Sequence, residues 1–424
     1  MDFRVLPSGD LTLTNLTAPA CLTGAAGDLQ SLSLTLRGGR IAPPSTDLPQ
    51  VDMGGAMVFP AFVDMHTHLD KGHIWPRAAN PDGSFDGALA TVEADRSANW
   101  SGPDIRARMD FALRCAWAHG TRAIRTHLDS LGPQAAISFP EFTRLRDEWA
   151  GRIELQAACL TLIDQIDPDS GGGEFAALAD LVVESRGVLG CVTFPDPRLK
   201  DRLRAFFAHA AQRGLHADFH SDETGDPGSA TLRAIAETVL ETGFDAPVTV
   251  GHCCSLAVQP DAEWLHTLDL VARAGINVVS LPMCNLYLQD RHAGRTPRWR
   301  GVTLVHEMAA RGINVSFASD NTRDPFYAYG DLDMLEVMRE ATRIAHLDHS
   351  GNDWPGAFLT NPARACGFDA PSLSPGAPAD LVICRARHWS ELFARPQSDR
   401  IVLRGGRQID RTLPDYSELD HLMR

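Results

Sequence analysis

Between residues 56 and 369 the sequence repeats one unit, a short apolar segment of strand length followed by a segment with helical spacing. Several of the helical segments end at a glycine, which readily adopts the left-handed conformation that terminates an α-helix. Eight apolar strands of this kind are predicted. A strand–helix unit repeated eight times in a region of this length predicts an α/β fold, the (β/α)8 TIM barrel.

An open, doubly wound parallel sheet is the main alternative to the barrel. That fold requires a glycine-rich phosphate-binding turn near its start, and the sequence contains none there. The barrel is therefore favoured. Proline and glycine residues are frequent over 72–101, so we predict a long irregular loop on the functional side of the barrel.

The two ends of the chain carry the same hairpin signal. Residues 11–14 and 31–36 alternate polar and apolar side chains, as half-buried strands do. The string Arg-Gly-Gly-Arg stands at 37–40 and again at 404–407, and Gly-Gly is a tight-turn signal. We therefore predict a small β-sandwich domain built from residues 1–55 plus 370–424, with the barrel over 56–369.

Composition excludes several kinds of partner. The formal charge of −15 argues against nucleic acid and anionic membranes, which select basic surfaces. No apolar run approaches the length of a membrane span, and the first residues lack a signal-peptide pattern. The nine cysteines form no C-x-x-C pair, so a disulfide framework is not indicated. We expect a cytoplasmic protein that acts on a small molecule.

Metal-binding residue types stand at the ends of several predicted strands. His66 and His68 are one residue apart after the first strand, so their side chains can share a face. Later strands end in His127, His220, His252 and Asp320. The carboxyl ends of barrel strands share one rim. One such histidine alone is more often a core or surface residue, but the whole set predicts a divalent metal site.

These residues lie in motifs that resemble the amidohydrolase superfamily, and within it the cytosine deaminase branch. The resemblance covers nearly the whole chain. It is carried by His-x-His at 66–68, Arg-Thr-His-Leu-Asp at 125–129, His-Ser-Asp-Glu at 220–223, Gly-His at 251–252, Asn-Leu-Tyr-Leu-Gln-Asp-Arg at 285–291, Ser-Asp-Asn-x-x-Asp-Pro-Phe-Tyr at 319–327 and Pro-Gly-Ala-Pro-Ala-Asp at 375–380. It implies a metal-dependent hydrolytic deaminase of cytosine or a related amino-substituted N-heterocycle, releasing ammonia.

The resemblance also implies roles for individual residues. The ligands of one divalent ion, Fe²⁺ or Zn²⁺, would be His66, His68, His220 and Asp320. Superfamily members with two metals usually bridge them with a carboxylated lysine at the end of the fourth strand, and that strand has no lysine here. Glu223 would carry a proton from the attacking water to a ring nitrogen, and His252 would hydrogen-bond the attacking oxygen. Asp320 would also accept a proton, and His127 would support the metal site.

The match departs from cytosine deaminases at positions that read the substrate. Leu162 stands where those enzymes have a glutamine, and Gln165 could replace it only if the strand end were remodelled. Asn321 replaces an acidic residue, and Phe326 replaces a tryptophan. A leucine cannot supply the missing hydrogen bond. The reaction type is therefore better supported than cytosine itself.

Further residues are candidates for substrate binding. Lys71 could bind an anionic group of the substrate or pair with an acid such as Asp70, and the sequence does not choose between these. Trp75 could stack on a planar ring or pack in a loop, and Asp324 belongs to the 319–327 motif. Asn285, Gln289 and Arg291 are expected to make pocket or subunit contacts. Because oligomers are common among relatives, we expect a homo-oligomer.

Two other functions compete with deamination. The first is hydrolysis of an N-alkylamino triazine or a cyclic amide, which would yield an alkylamine or a ring-opened acid in place of ammonia. The second is a non-catalytic binding protein with the amidohydrolase fold. Such proteins usually lose metal ligands, whereas the complete set is present here.

Overall fold

The computed structural model describes residues 2–169, 171, 173–351, 353–396 and 399–424, and they form two eight-stranded sheets. In chain order the strands are β1 (Leu11–Pro19), β2 (Leu29–Arg37), β3 (Arg40–Ala42), β4 (Gln50–Asp52), β5 (Met57–Pro60), β6 (Phe62–Thr67), β7 (Thr121–Asp129), β8 (Glu154–Leu162), β9 (Leu189–Thr193), β10 (Ala217–Ser221), β11 (Val248–His252), β12 (Asn277–Ser280), β13 (Val315–Phe317), β14 (Leu381–Cys384), β15 (Arg400–Arg404) and β16 (Arg407–Gln408).

Twelve α-helices lie within the described residues. They are α1 (Phe85–Asn99), α2 (Gly102–His119), α3 (Gln134–Glu148), α4 (Gly173–Glu184), α5 (Leu199–Arg213), α6 (Thr231–Thr242), α7 (Asp261–Arg273), α8 (Pro282–Leu288), α9 (Val305–Ala309), α10 (Met334–Ala345), α11 (Thr360–Cys366) and α12 (Trp389–Ala394). Short 3-10 helices lie at Ala20–Leu22, Ile163–Gln165, Cys254–Val258, Leu347–His349, Trp354–Phe358 and Tyr416–Leu422. Among the described residues, no helix combines the length and the apolar character needed to cross a membrane.

The first sheet joins the two ends of the chain, as the repeated hairpin signal predicts. Its order is β16-β15-β14-β5-β1-β2-β3, with β4 beside β1. Gly38, Gly39, Gly405 and Gly406 all have positive φ, as tight two-residue hairpins require. The two turns touch, because a Cβ on Gly39 would lie 3.3 Å from the carbonyl oxygen of Gly405. A separate apolar core lies under this sheet.

The second sheet consists of β6 to β13, which pair in sequence order as parallel strands. The barrel closes where Thr67 forms a parallel bridge with Asp320, and the N–H of Asp320 donates to the carbonyl oxygen of His66 at 2.9 Å. The predicted (β/α)8 barrel with a small β domain from both termini is confirmed.

The apolar run before the first histidines is divided between the two sheets. β5 pairs antiparallel with β14 in the terminal sheet, and β6 begins after Ala61 as the first strand of the barrel. The predicted domain boundaries, 1–55 plus 370–424 for the small β domain and 56–369 for the barrel, stay a prediction. β5 lies within 56–369 but pairs with a strand of the terminal sheet.

The prediction of one continuous loop over 72–101 is wrong, because α1 occupies half of that segment. The Ser84 hydroxyl caps this helix and accepts a hydrogen bond from the N–H of Gly87 at 2.9 Å. Its buried positions are Ala88, Val92 and Asp95. With only two apolar residues on the buried face, the 3.6-residue period is too weak to detect in the sequence.

One buried ion pair ties the terminal sheet to the barrel. Arg400 of β15 makes a two-pronged contact with Asp333, with one N–O distance of 2.8 Å. Asp333 also caps α10 by accepting a hydrogen bond from the N–H of Leu335 at 3.0 Å. Burial alone would raise the pKa of Asp333, but the Arg400 guanidinium holds it below its usual value.

We predict that Arg400→Met lowers the free energy of unfolding by about 3–5 kcal/mol, because Asp333 would stay buried without its guanidinium partner. Urea denaturation measures this loss. The control is Arg204→Met, which breaks the exposed pair with Glu241 and should cost less than about 1 kcal/mol. An equally small loss for Arg400→Met would contradict the structural role of this pair.

Candidate active site and metal centre

Three imidazoles and one carboxylate meet at the carboxyl end of the barrel, and all four side chains are buried. The Nε2 atom of His220 lies 3.1 Å from Nε2 of His66 and 3.3 Å from Nε2 of His68. Asp320 Oδ1 lies 3.2 Å from Nε2 of His68 and 3.6 Å from Nε2 of His66. The four residues therefore point one donor atom each at a common centre.

The spacing of these donor atoms fits a metal ion. Four tetrahedral ligands at about 2.0–2.1 Å from Zn²⁺ are about 3.3–3.4 Å from one another. Neither carboxylate oxygen of Asp320 has a hydrogen-bond partner among the described residues, an unfavourable state for a buried acid without a cation. The spacing of the donor atoms and the unpartnered buried carboxylate together indicate a site suited to a divalent metal ion.

Burial sets the protonation of the cluster. It is the largest cause that lowers the pKa of each of the three histidines well below its usual value. Nearby imidazoles add to the effect at His66 and His220, and at His68 the Lys71 ammonium adds to it ahead of the imidazoles. The three rings are therefore neutral at pH 7, the form that binds metals. Burial also raises the pKa of Asp320 to about 7. A bound cation would favour the ionised carboxylate.

Left-handed backbone conformations occur at the strand ends that form this site. The φ angles are 69° at His252, 54° at Cys253 and 65° at Asp320. Non-glycine residues rarely adopt such angles, and where they do, the strain is commonly found at functional sites. At Asp320 the hydrogen bond to the His66 carbonyl stabilises this conformation.

A buried acid lies beneath the cluster. Asp218, two residues before His220 on β10, accepts a hydrogen bond from Nη1 of Arg125 at 2.8 Å and lies 3.0 Å from Nε2 of His127. The His127 ring packs 4.1 Å from the ring of His66, centroid to centroid. His127 is thus beside the cluster with its Nε2 already engaged.

A second group of polar side chains lies next to the cluster. Glu223 Oε1 lies 3.2 Å from Nδ1 of His252 and accepts a hydrogen bond from Nδ2 of Asn285 at 3.0 Å. The Asn285 amide is also 3.0 Å from His252 Nδ1. Burial would lower the pKa of His252, but the neighbouring Glu223 carboxylate raises it overall. Nε2 of His252 has no hydrogen-bond partner among the described residues.

A cavity of about 740 Å³ opens onto these groups. His68, His220, Glu223, His252 and Asp320 line one end. Much of the remaining wall is apolar and comes from the ends of β7, β8 and β9 and from one face of α1, at positions Phe85, Leu89, Val92, Leu131, Leu160, Leu162, Val192, Phe194 and Pro195. This volume is in the range of sites for drug-sized ligands.

The predicted substrate-binding residues divide into two groups. Lys71, Leu162, Asn321 and Phe326 line the cavity. Trp75 and Asp324 are not among the described residues that line it. The Asp324 carboxylate accepts hydrogen bonds from the side chain of Asn321 at 2.8 Å and from the N–H of Phe326 at 2.8 Å. Asp324 thus organises its own loop.

Gln165 does not take the place of the missing glutamine. It is exposed in the 3-10 helix after β8 and contacts Asp164. Of the residues assigned only to pocket or subunit contacts, Gln289 lines the cavity and donates to the carbonyl oxygen of Glu223 at 3.1 Å. Arg291 instead packs on Tyr287.

Two contributions to the site go beyond what the sequence predicts. One is α1, whose cavity-facing residues include a side-chain pair with the barrel through Arg96 and Asp129 at 3.0 Å. The other is the bridging position of Asn285. Its place after the seventh strand was a signal for the rim of the barrel, but the motif did not reveal which side chains it would contact.

Comparison with known proteins agrees with this geometry. The profile of the Amidohydrolase family matches residues 150–410. The chain belongs to the amidohydrolase family, on the cytosine deaminase-like branch. It is therefore placed among hydrolases that act on carbon–nitrogen bonds other than peptide bonds.

Three relatives show the extent of the similarity. The pterin deaminase of Rhizobium rhizogenes is 53% identical over 96% of this chain and 95% of its own length. The 5-methylcytosine deaminase of Klebsiella pneumoniae, solved with 5-fluorocytosine, superposes with a TM-score of 0.79 at 25% identity, covering 95% of this chain and 98% of its own. N-isopropylammelide isopropylaminohydrolase of Burkholderia multivorans gives 0.74 at 25% identity, covering 94% and 98%.

Proposed function

We propose that this protein is a metal-dependent hydrolytic deaminase of 2-amino-4-oxopteridines (pterins), releasing ammonia. The observation that carries the proposal is the position of Glu223 and His252, paired at 3.2 Å on the same cavity as His68, His220 and Asp320. The pterin class is supported by the 53% identical pterin deaminase, which aligns over nearly the whole chain.

The residues proposed to hold the metal are His66, His68, His220 and Asp320. When bound, a single Zn²⁺ or Fe²⁺ would acidify a water molecule so that it attacks as hydroxide near neutral pH. Two-metal relatives use a lysine at the end of the fourth strand, which is β9 here. The chain has only two lysines, Lys71 after β6 and Lys200 on α5, so neither supports a second metal there.

The proton transfers are assigned to side chains that contact one another. Glu223 takes a proton from the attacking water and delivers it to a ring nitrogen of the substrate. Asn285, which donates to Glu223 Oε1, orients that carboxylate. His252 is held at Nδ1, and its Nε2 is available for a hydrogen bond to the oxygen added at the substrate carbon. Asp320 accepts the second proton, from the added hydroxyl group, and passes it to the exocyclic amino nitrogen, which then leaves as ammonia.

The cavity wall supports a planar substrate larger than cytosine. Leu162 has no hydrogen-bonding group with which to read a pyrimidine edge, and Phe85 and Phe326 pack edge to face with ring centroids 5.5 Å apart. Flat apolar and aromatic surfaces favour a fused two-ring heterocycle. The homo-oligomeric state and the cytoplasmic location stay predictions.

Hydrolysis of an exocyclic alkylamine is the second candidate function. It is favoured by the superposition with N-isopropylammelide isopropylaminohydrolase, with a TM-score of 0.74. The chemistry at the carbon would be the same, and only the leaving group differs. The products therefore separate the two functions.

We predict that the metal-loaded protein converts 2-amino-4-oxopteridine to the 2,4-dioxo compound with one equivalent of ammonia. Cytosine should react at least about 100-fold more slowly, because Leu162 leaves its amide edge without a partner. Product analysis with N-isopropylammelide as a third substrate tests the alternative. Isopropylamine release without ammonia release from the pteridine would overturn the proposal.

We predict that His66→Ala abolishes metal binding, because one of the four proposed ligands is lost and the remaining three leave an incomplete site. Metal content per chain, measured by mass spectrometry after dialysis, should fall from about one to near zero. His209→Ala on the outer helix α5 is the control and should keep its metal. Full metal content in His66→Ala would show that the ligand assignment is wrong.

We predict that Glu223→Gln lowers kcat by about 10²–10⁴-fold without loss of metal, because an amide cannot carry the proton. Steady-state ammonia release and metal analysis on the same preparation measure both effects. Glu237→Gln, at the outer surface of α6 where Glu237 pairs with Lys200, is the matched control and should retain wild-type turnover. A normal kcat for Glu223→Gln would exclude it as the proton carrier.

A further inference from the structure

Lysine is rare in this chain, and one of the two lysines is buried in the cavity wall. The sequence has 39 lysine and arginine residues, of which only Lys71 and Lys200 are lysine. Lys71 is 5% exposed, follows His68 by three residues and lines the cavity. Lys200 lies on the outer surface of α5. The position of this ammonium group, beside the proposed metal ligands, therefore calls for a functional explanation.

The contacts of Lys71 leave part of its hydrogen-bonding capacity free. Nζ lies 3.1 Å from Oδ1 of Asp129 and 5.0 Å from the centroid of the Phe326 ring. Within the part of the chain that the structure describes, Asp129 is the acceptor found next to Nζ. An ammonium group has three N–H donors. The remaining donors can serve a molecule in the cavity, whose wall Lys71 and Phe326 share.

Asp129 is shared between Lys71 and the α1 wall. Its second carboxylate oxygen lies 3.0 Å from Nη1 of Arg96, which is on the cavity-facing side of α1. The backbone N–H of Asp129 donates to Oδ2 of Asp70 at 2.9 Å. Lys71 is thus held in place by a carboxylate that is itself fixed from two directions.

We infer that Lys71 donates a hydrogen bond to a carbonyl oxygen on the substrate ring, and that Arg96 positions it through Asp129. The inference rests on the proposed function and specifies the substrate feature that the site requires. In a 2-amino-4-oxopteridine the carbonyl and the attacked carbon belong to the same ring and are separated by one nitrogen. Addition of hydroxide places negative charge on this conjugated system, which a cationic donor stabilises.

A neutral acceptor suits this position better than an anionic substituent. The acids Asp129, Asp324 and Asp70 all act on the Lys71 ammonium and raise its pKa against the opposing effect of burial. Lys71 therefore stays protonated at neutral pH, but its charge is already balanced by neighbouring carboxylates. A carbonyl oxygen accepts a hydrogen bond without adding another charge to this group.

The test compares two substrates that differ at the C4 carbonyl and at the N3–H that accompanies it. Wild-type protein, Lys71→Met and the control Lys200→Met are each assayed for ammonia release from 2-amino-4-oxopteridine and from 2-aminopteridine. Lys71→Met should lower kcat/KM for the oxo compound roughly 10- to 100-fold, the effect of one hydrogen bond to a charged group. Its kcat/KM for 2-aminopteridine should change less than about threefold. Lys200→Met should match wild type on both.

Three outcomes are decisive. Wild-type protein that deaminates neither pteridine overturns the proposed function, and the inference with it. Wild-type protein that deaminates the oxo compound, together with a Lys71→Met variant that is impaired equally on both substrates or on neither, overturns the inference alone. An effect confined to the oxo compound supports it. Metal content is measured for each variant so that loss of the ion is not mistaken for loss of recognition.

Arg96 variants test the positioning role and keep the inference falsifiable if Lys71→Met does not fold. Arg96→Met should reduce the preference for the oxo compound in the same direction, and Arg96→Lys should restore part of it. Where both single variants fold, adding Arg96→Met to Lys71→Met should have little further effect, because the two residues act through one contact. Unchanged substrate preference in Arg96→Met would overturn the positioning role.

Discussion

The closure of the barrel is the interaction on which the site depends. The first strand, β6, and the segment after the last strand, β13, are joined by the bridge between Thr67 and Asp320 and by the hydrogen bond from Asp320 to the His66 carbonyl. Backbone hydrogen bonds, and not flexible loops, therefore fix the distance between His66 and Asp320, two of the four proposed ligands. His220 reaches the same centre from β10, the fifth strand of the barrel. Regular backbone pairing thus fixes the positions of the donor atoms, and fixed donor positions are what a catalytic metal centre requires.

The strand ends were predictable from the sequence because they combine two strong signals. An apolar run predicts a parallel barrel strand, and a histidine or aspartate at its end predicts a position on the rim. Together these signals predicted that His66, His220, His252 and Asp320 lie close to one another. In the structure His220, His252 and Asp320 line one cavity, and His66 lies in the same cluster. The Gly-Gly repeat likewise predicted that the two ends of the chain meet, and the turns at Gly39 and Gly405 are in contact.

Other parts of the site could not be predicted because they depend on contacts between segments far apart in sequence. α1 has a weakly apolar buried face, and its stability comes from a capped first turn and from packing on the barrel. The contact between Asn285 and Glu223 joins residues 62 positions apart. Asp324 was assigned to the substrate from its motif alone, whereas the structure engages its carboxylate within the loop.

The proposed reacting groups and the apolar wall of the cavity lie on different elements of the fold. The cluster and the Glu223–His252 pair lie on barrel strands or directly after them. The wall opposite comes from α1 and the ends of β8 and β9, elements that can change without moving the donor atoms. This division is consistent with the superposition of the chain on enzymes named for 5-methylcytosine and for N-isopropylammelide, although Leu162 lacks the polar group expected for cytosine.

X-ray absorption spectroscopy at the metal edge of the active protein is the sharpest test of the metal site. We predict one ion per chain with three imidazole ligands, one carboxylate and no second metal at about 3.5–4 Å, the separation typical of two-metal sites. A metal–metal signal at that distance, or a first coordination shell with fewer than three imidazoles in fully active protein, would contradict it.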